Sequence, residues 1–445
     1  MSDRFCVASG DFNSTSIWSL ISGGSSGASV PGAADIAIFD TGAFAVTTSQ
    51  AHVVDGLKFL VGFTGSLVMG DFSFEVENLE TLVDAGTLTL PATAKFTLDG
   101  IIQTGGTINW GGDTFFDGGN MVITLLPGSD SLNDVELNAS TISGANPVIV
   151  LGKFTITNYN ALNNTWKCEG DCDLLDTGAS TSTGLIIFQG TNNQTLTGLV
   201  AGGILPGFQN DKTAGTLTIV DKILVRNSWI DNPTGTAVTV YQDGSKIVSD
   251  VAGTVSSKFK FFDLEVSTAG TCTLDDIVCR GELLLQDSNA LVGNATLEGN
   301  LKKVDSSYAS GSTAAITMKG DRLQTLEDVP GAKAPNGLCT LQGKTQKLLT
   351  DIDWADTSFT TPDGILKLNS VLNTNNFIFA MEDVVDLSGF HHNSDGGSIT
   401  AISVNENFGF QKGNANSLRT QTMTKRNNNL YARTRNLGRR IMEAA

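Results

Sequence analysis

The sequence predicts an all-β chain, a parallel β-helix or closely related β-solenoid, with an N-terminal cap and a basic C-terminal arm. Three observations predict it. Strand-length runs of alternating apolar residues recur at intervals of roughly 8 to 12 residues, separated by Gly, Asn or Pro. Two phrases repeat: apolar, any, Gly, three of any kind, then Gln-Thr-Leu occurs at Phe188 to Leu196 and at Met318 to Leu326. Ala-Gly-Thr-x-Thr followed by Leu or Ile begins at Ala85, Ala214 and Ala269. Composition is the third: 49 Gly, 9 Pro and 17% charged residues in a chain rich in Thr, Ser, Asn, Val and Ile is strand and turn chemistry.

A chain of 445 residues is too long for one ordinary core, so it makes two to four compact domains or a solenoid whose core grows with its length. Repetition of a phrase that cannot bury its own apolar face favours stacking. The unequal intervals between copies describe a degenerate repeat rather than a strict array. About 20 to 25 residues per coil would give some 16 to 20 coils at about 4.8 Å each.

The first 45 residues read as a cap. Phe12, Trp18 and Phe39 are placed to cover the apolar floor of a first coil that has no neighbour beneath it. A Gly-Ser loop, Gly23-Gly24-Ser25-Ser26-Gly27-Ala28-Ser29-Val30-Pro31, wraps around them and leads to Asp35-Ile36-Ala37-Ile38-Phe39-Asp40. This stretch resembles the start of β-helical structural proteins of tailed bacteriophages, and the repeated phrases are similar to those of such proteins and of bacterial surface β-solenoids. Phe5 and Cys6 stand where that family usually has a second Trp. The resemblance implies a virion protein, often a trimer, exposed as a tail fibre or spike that contacts a host-surface glycan or protein.

From 46 to 408 the expectation is a β-solenoid shaft. Its early strands fall at 57–61, 66–69, 73–76, 87–90, 95–98, 106–110 and 122–126, a spacing that suits three strands per coil or a sandwich. The repeated text favours the coil, because it places like residues above like. The theme continues through 154–300. The rhythm breaks at Val329-Pro330-Gly331-Ala332-Lys333-Ala334-Pro335, a projecting loop or a boundary between stacked halves. Strands resume through 377–379 and end near Ile402.

Charge sets the last segment apart. The net charge is −18, yet from Lys412 onward eight bases stand against Glu443, a balance of +7 that leaves −25 on the body. An acidic body opposes nucleic-acid binding. The arm, 409–445, carries Arg419, Lys425, Arg426, Arg433, Arg435, Arg439 and Arg440, the candidates for attachment to other virion proteins. Met423, Leu430, Leu437 and Ala444 recur at sevens, so the arm is a disordered basic tail or a short helix that orders on docking.

No apolar run reaches the length of a membrane span. The first residues, Met-Ser-Asp-Arg-Phe-Cys-Val-Ala, lack the features of a secretory signal. The expectation is a chain made in the host cytoplasm, released by a route such as lysis and carried in the virion. The six cysteines are scattered, several inside apolar phrases, and read as reduced core thiols.

Glycoside hydrolysis needs two carboxylates at a set separation, which makes acid pairs the candidates for chemistry. Residues i and i+2 of a strand share a face. Asp351 and Asp353 beside Trp354 lead, followed by Asp171 and Asp173. Trp354, Trp229 and Trp166 are candidates for a sugar-binding face, with the core as the other place for Trp166 and Trp229. His391 and His392 are adjacent and would point to opposite faces, His52 stands alone, and Cys168 to Cys172 lacks a common zinc spacing, so no metal or cofactor is expected. The function expected is a non-enzymatic virion fibre or spike. The alternatives are a capsid decoration or head-fibre protein, a polysaccharide-degrading tailspike and a bacterial surface adhesin.

Overall fold

The computed structural model describes residues 2–328, apart from 79–80, 129, 179–181, 251 and 305–312, and beyond them a series of strands as far as Thr422–Met423. The chain is a parallel β-solenoid. It divides into two units, Met1–Val220 with Pro233–Val238, and Asp221–Asn232 with Thr239–Ala445.

In the first unit a coil has three strands. Gly56–Phe63, Ser66–Val68 and Phe74–Val76 make one, Thr81–Val83, Thr87–Thr89 and Phe96–Leu98 the next, and Ile101–Gln103, Thr107–Asn109 and Thr114–Thr124 the one after. Each strand pairs in parallel with its counterpart: Leu82 with Ile102, Leu88 with Ile108, Leu98 with Phe116. Alternation then sorts the side chains. Val46, Leu67, Leu88 and Ile108 form a fully buried column, while Thr47, Val68, Thr89 and Asn109 form the outward one beside it. Each such apolar residue contributes about 1.5–3 kcal/mol on burial.

The cap is built as the sequence anticipates. Ser2–Cys6 pairs in parallel with Asp35–Gly42 and antiparallel with Trp18–Ser19. Trp18 is fully enclosed, donates Nε1–H to the Phe12 carbonyl at 2.7 Å, and meets the Phe12 ring edge-on at 4.9 Å. Phe39 stacks on Phe59 at 4.8 Å. The Gly-Ser loop is tied back by Gly27 and Ala28, whose N–H groups donate to Trp18 O at 3.0 Å.

The Ala-Gly-Thr phrase is a corner. Gly86 and Gly215 have φ of +70° and +73°, a left-handed turn that lets Thr87 and Thr216 open the next strand. The third copy lies inside the long strand Asp263–Cys279 and has no such turn.

In the second unit Ile223, Ile247, Leu264, Leu283 and Leu301 stack as a buried column through parallel pairs. Coil length varies here: Lys246 pairs with Asp263, 17 residues on, and Trp229 with Val255, 26 residues on.

The break at 329–335 and the basic residues Arg419, Lys425, Arg426, Arg433, Arg435, Arg439 and Arg440 lie outside the described residues. Within 409–445 the described pair is Thr422–Met423, a strand beside Thr400 and Ala401 where a tail or helix was expected.

Candidate functional site

The repeated Gln-Thr-Leu phrase is a buried clamp between coils. Gln194 is 2% exposed and its Nε2 donates to Cys168 O at 3.0 Å and Gly170 O at 2.7 Å in the coil before it. Gln324, fully buried, makes the same two bonds to Leu297 O at 2.9 Å and Gly299 O at 2.7 Å. The next residue completes the match. Thr195 N donates to Asp171 Oδ1 at 2.7 Å, and Thr325 N to Asn300 Oδ1 at 2.9 Å. The receiving corners therefore share a phrase of their own, Glu169-Gly170-Asp171 and Glu298-Gly299-Asn300. In each corner the first carbonyl also accepts a backbone N–H of the next coil, Gln189 N to Cys168 O at 2.9 Å and Lys319 N to Leu297 O at 2.7 Å, and the amide adds a second bond there while reaching the glycine carbonyl two residues on.

The far ends of the two clamps differ. Gln324 Oε1 accepts Gly320 N at 2.8 Å, while Gln194 Oε1 accepts the ammonium of buried Lys212 at 2.5 Å. Lys212 also donates to Asn192 O at 2.6 Å. Burial holds its pKa below the ordinary lysine value, with the Glu169 charge opposing.

Other acids are used in the same way. Asp71 accepts Thr93 N and Ala94 N, each at 2.9 Å, and Asp134 accepts Lys153 N at 2.5 Å. These bonds draw the Asp71 carboxyl below its usual range, led by the Thr93 hydroxyl. Carboxylates here cap the backbone of the following coil.

Of the residues picked from sequence, Asp171 and Asp173 flank buried Cys172, so both face outward. Asp171 is engaged by Thr195, and Asp173 Oδ2 is ion-paired to Lys153 Nζ at 2.6 Å. That bond raises the Lys153 pKa, with the Asp173, Asp171 and Asp134 charges adding to it. Asp353 lies on the strand Ile352–Asp353 beside Ala380, whereas Asp351 and Trp354 are outside the described residues.

Trp166 and Trp229 are corrected to the core. Both are fully enclosed, so neither offers a ring face to a sugar. Trp166 stacks on Phe154 at 4.8 Å and donates to Asn164 Oδ1 at 2.8 Å. Trp229 donates to the Tyr241 hydroxyl at 3.0 Å. That hydroxyl in turn donates to buried Asp231 at 2.7 Å, alongside Thr239 Oγ1 at 2.8 Å. The described cysteines, Cys6, Cys168, Cys172, Cys272 and Cys279, are free and buried. Burial pushes the thiols of Cys6 and Cys272 up to about 11 and that of Cys279 to about 12. Cys339 lies on the strand Leu338–Leu341. Among the described residues no group of three His, Cys, Asp or Glu is placed to hold a metal ion.

Stacking assembles one outward column that the sequence reading missed. Glu75, Thr97, Phe115, Glu136, Thr155 and Asp173 lie on successive rungs. Glu136 and Asp173 are two rungs apart, ~9.6 Å between their backbones along the stack, the scale on which an inverting pair sets its carboxyl groups, about 6.5–9.5 Å. Each is paired with lysine: Lys95 Nζ is 3.5 Å from Glu136 Oε2 and sits 3.4 Å over the Phe115 ring, on the face a sugar would stack against. No sequence spacing relates Glu136 to Asp173; only the coil register does.

No protein-family model, curated protein or solved structure matches this chain. Fold and site together define a parallel β-solenoid whose buried glutamines join coil to coil.

Proposed function

We propose that the chain is a non-enzymatic structural protein of a phage virion, a tail fibre or spike with a host-contacting outer surface and a basic arm that docks to other virion proteins. The observation that supports this most is the use made of the polar groups. Gln194, Gln324, Asp71, Asp134, Asp171 and Asn300 all bond the neighbouring coil. A carboxylate that caps backbone N–H groups is fixed as a charged acceptor, which suits a load-bearing stack and not proton exchange with a substrate. The N-terminal resemblance supplies the virion setting and the expectation of a trimer.

The test is mass photometry of the full-length protein followed by exposure to a panel of bacterial surface polysaccharides. A particle of three times 46.7 kDa that binds a polysaccharide without shortening it is the expected result. A monomer that binds none would overturn the reading.

A second reading, a polysaccharide-degrading tailspike, rests on the Glu136 and Asp173 column. It requires that a bound polysaccharide be shortened and that Glu136→Gln or Asp173→Asn stop the shortening while binding persists.

A further inference from the structure

We propose that the N-terminal cap is an acid-labile latch keyed by His52: the neutral imidazole completes the aromatic floor of the stack, and its protonation releases the segment carrying Phe12.

His52 opens the strand His52–Val54, where its N–H donates to Ser73 O at 3.1 Å, and its side chain turns inward to 7% exposure. The imidazole lies 4.4 Å from the Phe12 ring and 5.8 Å from the Phe74 ring, and those two rings meet edge-on at 5.7 Å. Nε2 is buried with no hydrogen-bond partner. The cage therefore takes a neutral ring readily and a second N–H poorly.

The groups facing the ring are few. Phe74 comes from the coil's own sheet, Phe12 from beneath, and Trp18 stands behind Phe12. The charge acting on it is the Asp11 carboxylate, which accepts Asn13 N at 2.9 Å and is held below its usual range first by the Ser49 hydroxyl. Val53, on the same strand, and Glu75, opposite it on the next, alternate to the outside. Burial lowers the His52 pKa beneath 6.5, and Asp11 opposes without reversing it. A histidine so depressed gives stability that is present above the unfolded value and lost as pH falls through the folded one.

What yields is set by how the cap is fastened. Gly10–Asp11 is a two-residue strand against Val46 and Thr47, extended by Phe12 N to Thr47 O at 2.8 Å and by Trp18 Nε1 to Phe12 O. Ser2–Cys6 is held more firmly, through four residues paired with Asp35–Gly42, and it holds Trp18–Ser19 in turn. Acid therefore frees 10–14 first and bares the edge of Ala45–Thr47, a strand edge open to pairing with another chain.

Hydrogen exchange with mass readout on the full-length protein, at about pH 7.5 and about pH 5 and corrected for intrinsic rates, tests the latch. The expected result is a loss of protection of about tenfold across 10–14 at the lower pH, with 56–76 unchanged. His52→Phe keeps an aromatic floor and should remove the difference. His52→Gln, which cannot be charged, should also show none even where the cap is looser. Unchanged protection across 10–14 in the wild type, or an acid loss that persists in both variants, would overturn the proposal.

Discussion

Lys212 and Gln194 are joined inside the wall of the coil, Nζ to Oε1 at 2.5 Å, and through that bond three coils are linked. Gln194 Nε2 reaches down to Cys168 O and Gly170 O while its oxygen receives the ammonium from above. Replacing the amide by an isosteric hydrocarbon takes the amide bond from Gly170 O, takes one of two bonds from Cys168 O, which keeps Gln189 N, and leaves the Lys212 ammonium with Asn192 O. Gln194→Leu should cost about 2–4 kcal/mol and Gln324→Leu somewhat less, since the oxygen of Gln324 serves a backbone N–H and not a charge. Because a stack can open locally, exchange protection over 166–174 and 295–303 is the measurement, and equal losses at the two sites would show that Lys212 adds nothing.

The left-handed corner at Gly86 has little room for a side chain. A Cβ there would lie 2.5 Å from Phe63 Cδ1 and 3.0 Å from Gly65 O, at a φ that L-residues seldom adopt. Gly86→Ala should destabilise the first unit by about 1–3 kcal/mol. Gly119, with open space around its Cβ position and no left-handed φ, is the control: Gly119→Ala should leave the melting temperature nearly unchanged. A similar shift for both would mean that the corner conformation is not what Gly86 supplies.

Much of this architecture is legible in the sequence because strand alternation and turn residues are local. The early strands fall where expected, as do the aromatic cap residues Phe12, Trp18 and Phe39. The repeated phrases pointed to real structure as well, Gln-Thr-Leu to the clamp and two of the three Ala-Gly-Thr copies to the same corner. What local pattern does not hold is register. Coils of 17 and 26 residues bring Asp263 beside Lys246 and Val255 beside Trp229, and Glu136 and Asp173 share a column, two rungs apart, with no spacing to announce it. Trp166 and Trp229 fail for a related reason. An isolated indole suits a core or a groove equally until the opposing face is known.

The Asp71 turn is the acid-sensitive counterpart of the clamps. Its carboxylate accepts the Thr93 hydroxyl at 2.5 Å and the Thr93 and Ala94 N–H groups, and these bonds depress its pKa below 3.8. A depressed carboxyl gives stability that is present above the unfolded value and disappears as pH falls through the folded one. Asp71→Ala should therefore raise the exchange rates of the Thr93 and Ala94 amides at neutral pH, and the difference from wild type should shrink on acidification toward pH ~3. A difference that stays constant over that range would detach the effect from the carboxylate charge.

Tyr241 carries the opposite sign. It is buried, its hydroxyl donates to Asp231 at 2.7 Å and accepts Trp229 Nε1–H at 3.0 Å, and burial, then the Asp231 charge, pushes its pKa well above the ordinary phenol value. A phenol so raised favours the fold fully below pH ~10. Above that, the unfolded chain ionises first and stability falls as pH rises toward the folded value. In Tyr241→Phe this alkaline loss should be absent, while at neutral pH the lost bond to a buried carboxylate should cost about 1.5–3 kcal/mol. Phenolate absorbance supplies the check: on unfolding at alkaline pH the wild type should gain one more phenolate than Tyr241→Phe. If wild type and variant gain the same number, Tyr241 already ionises in the native protein and is not held by Asp231 as the geometry requires.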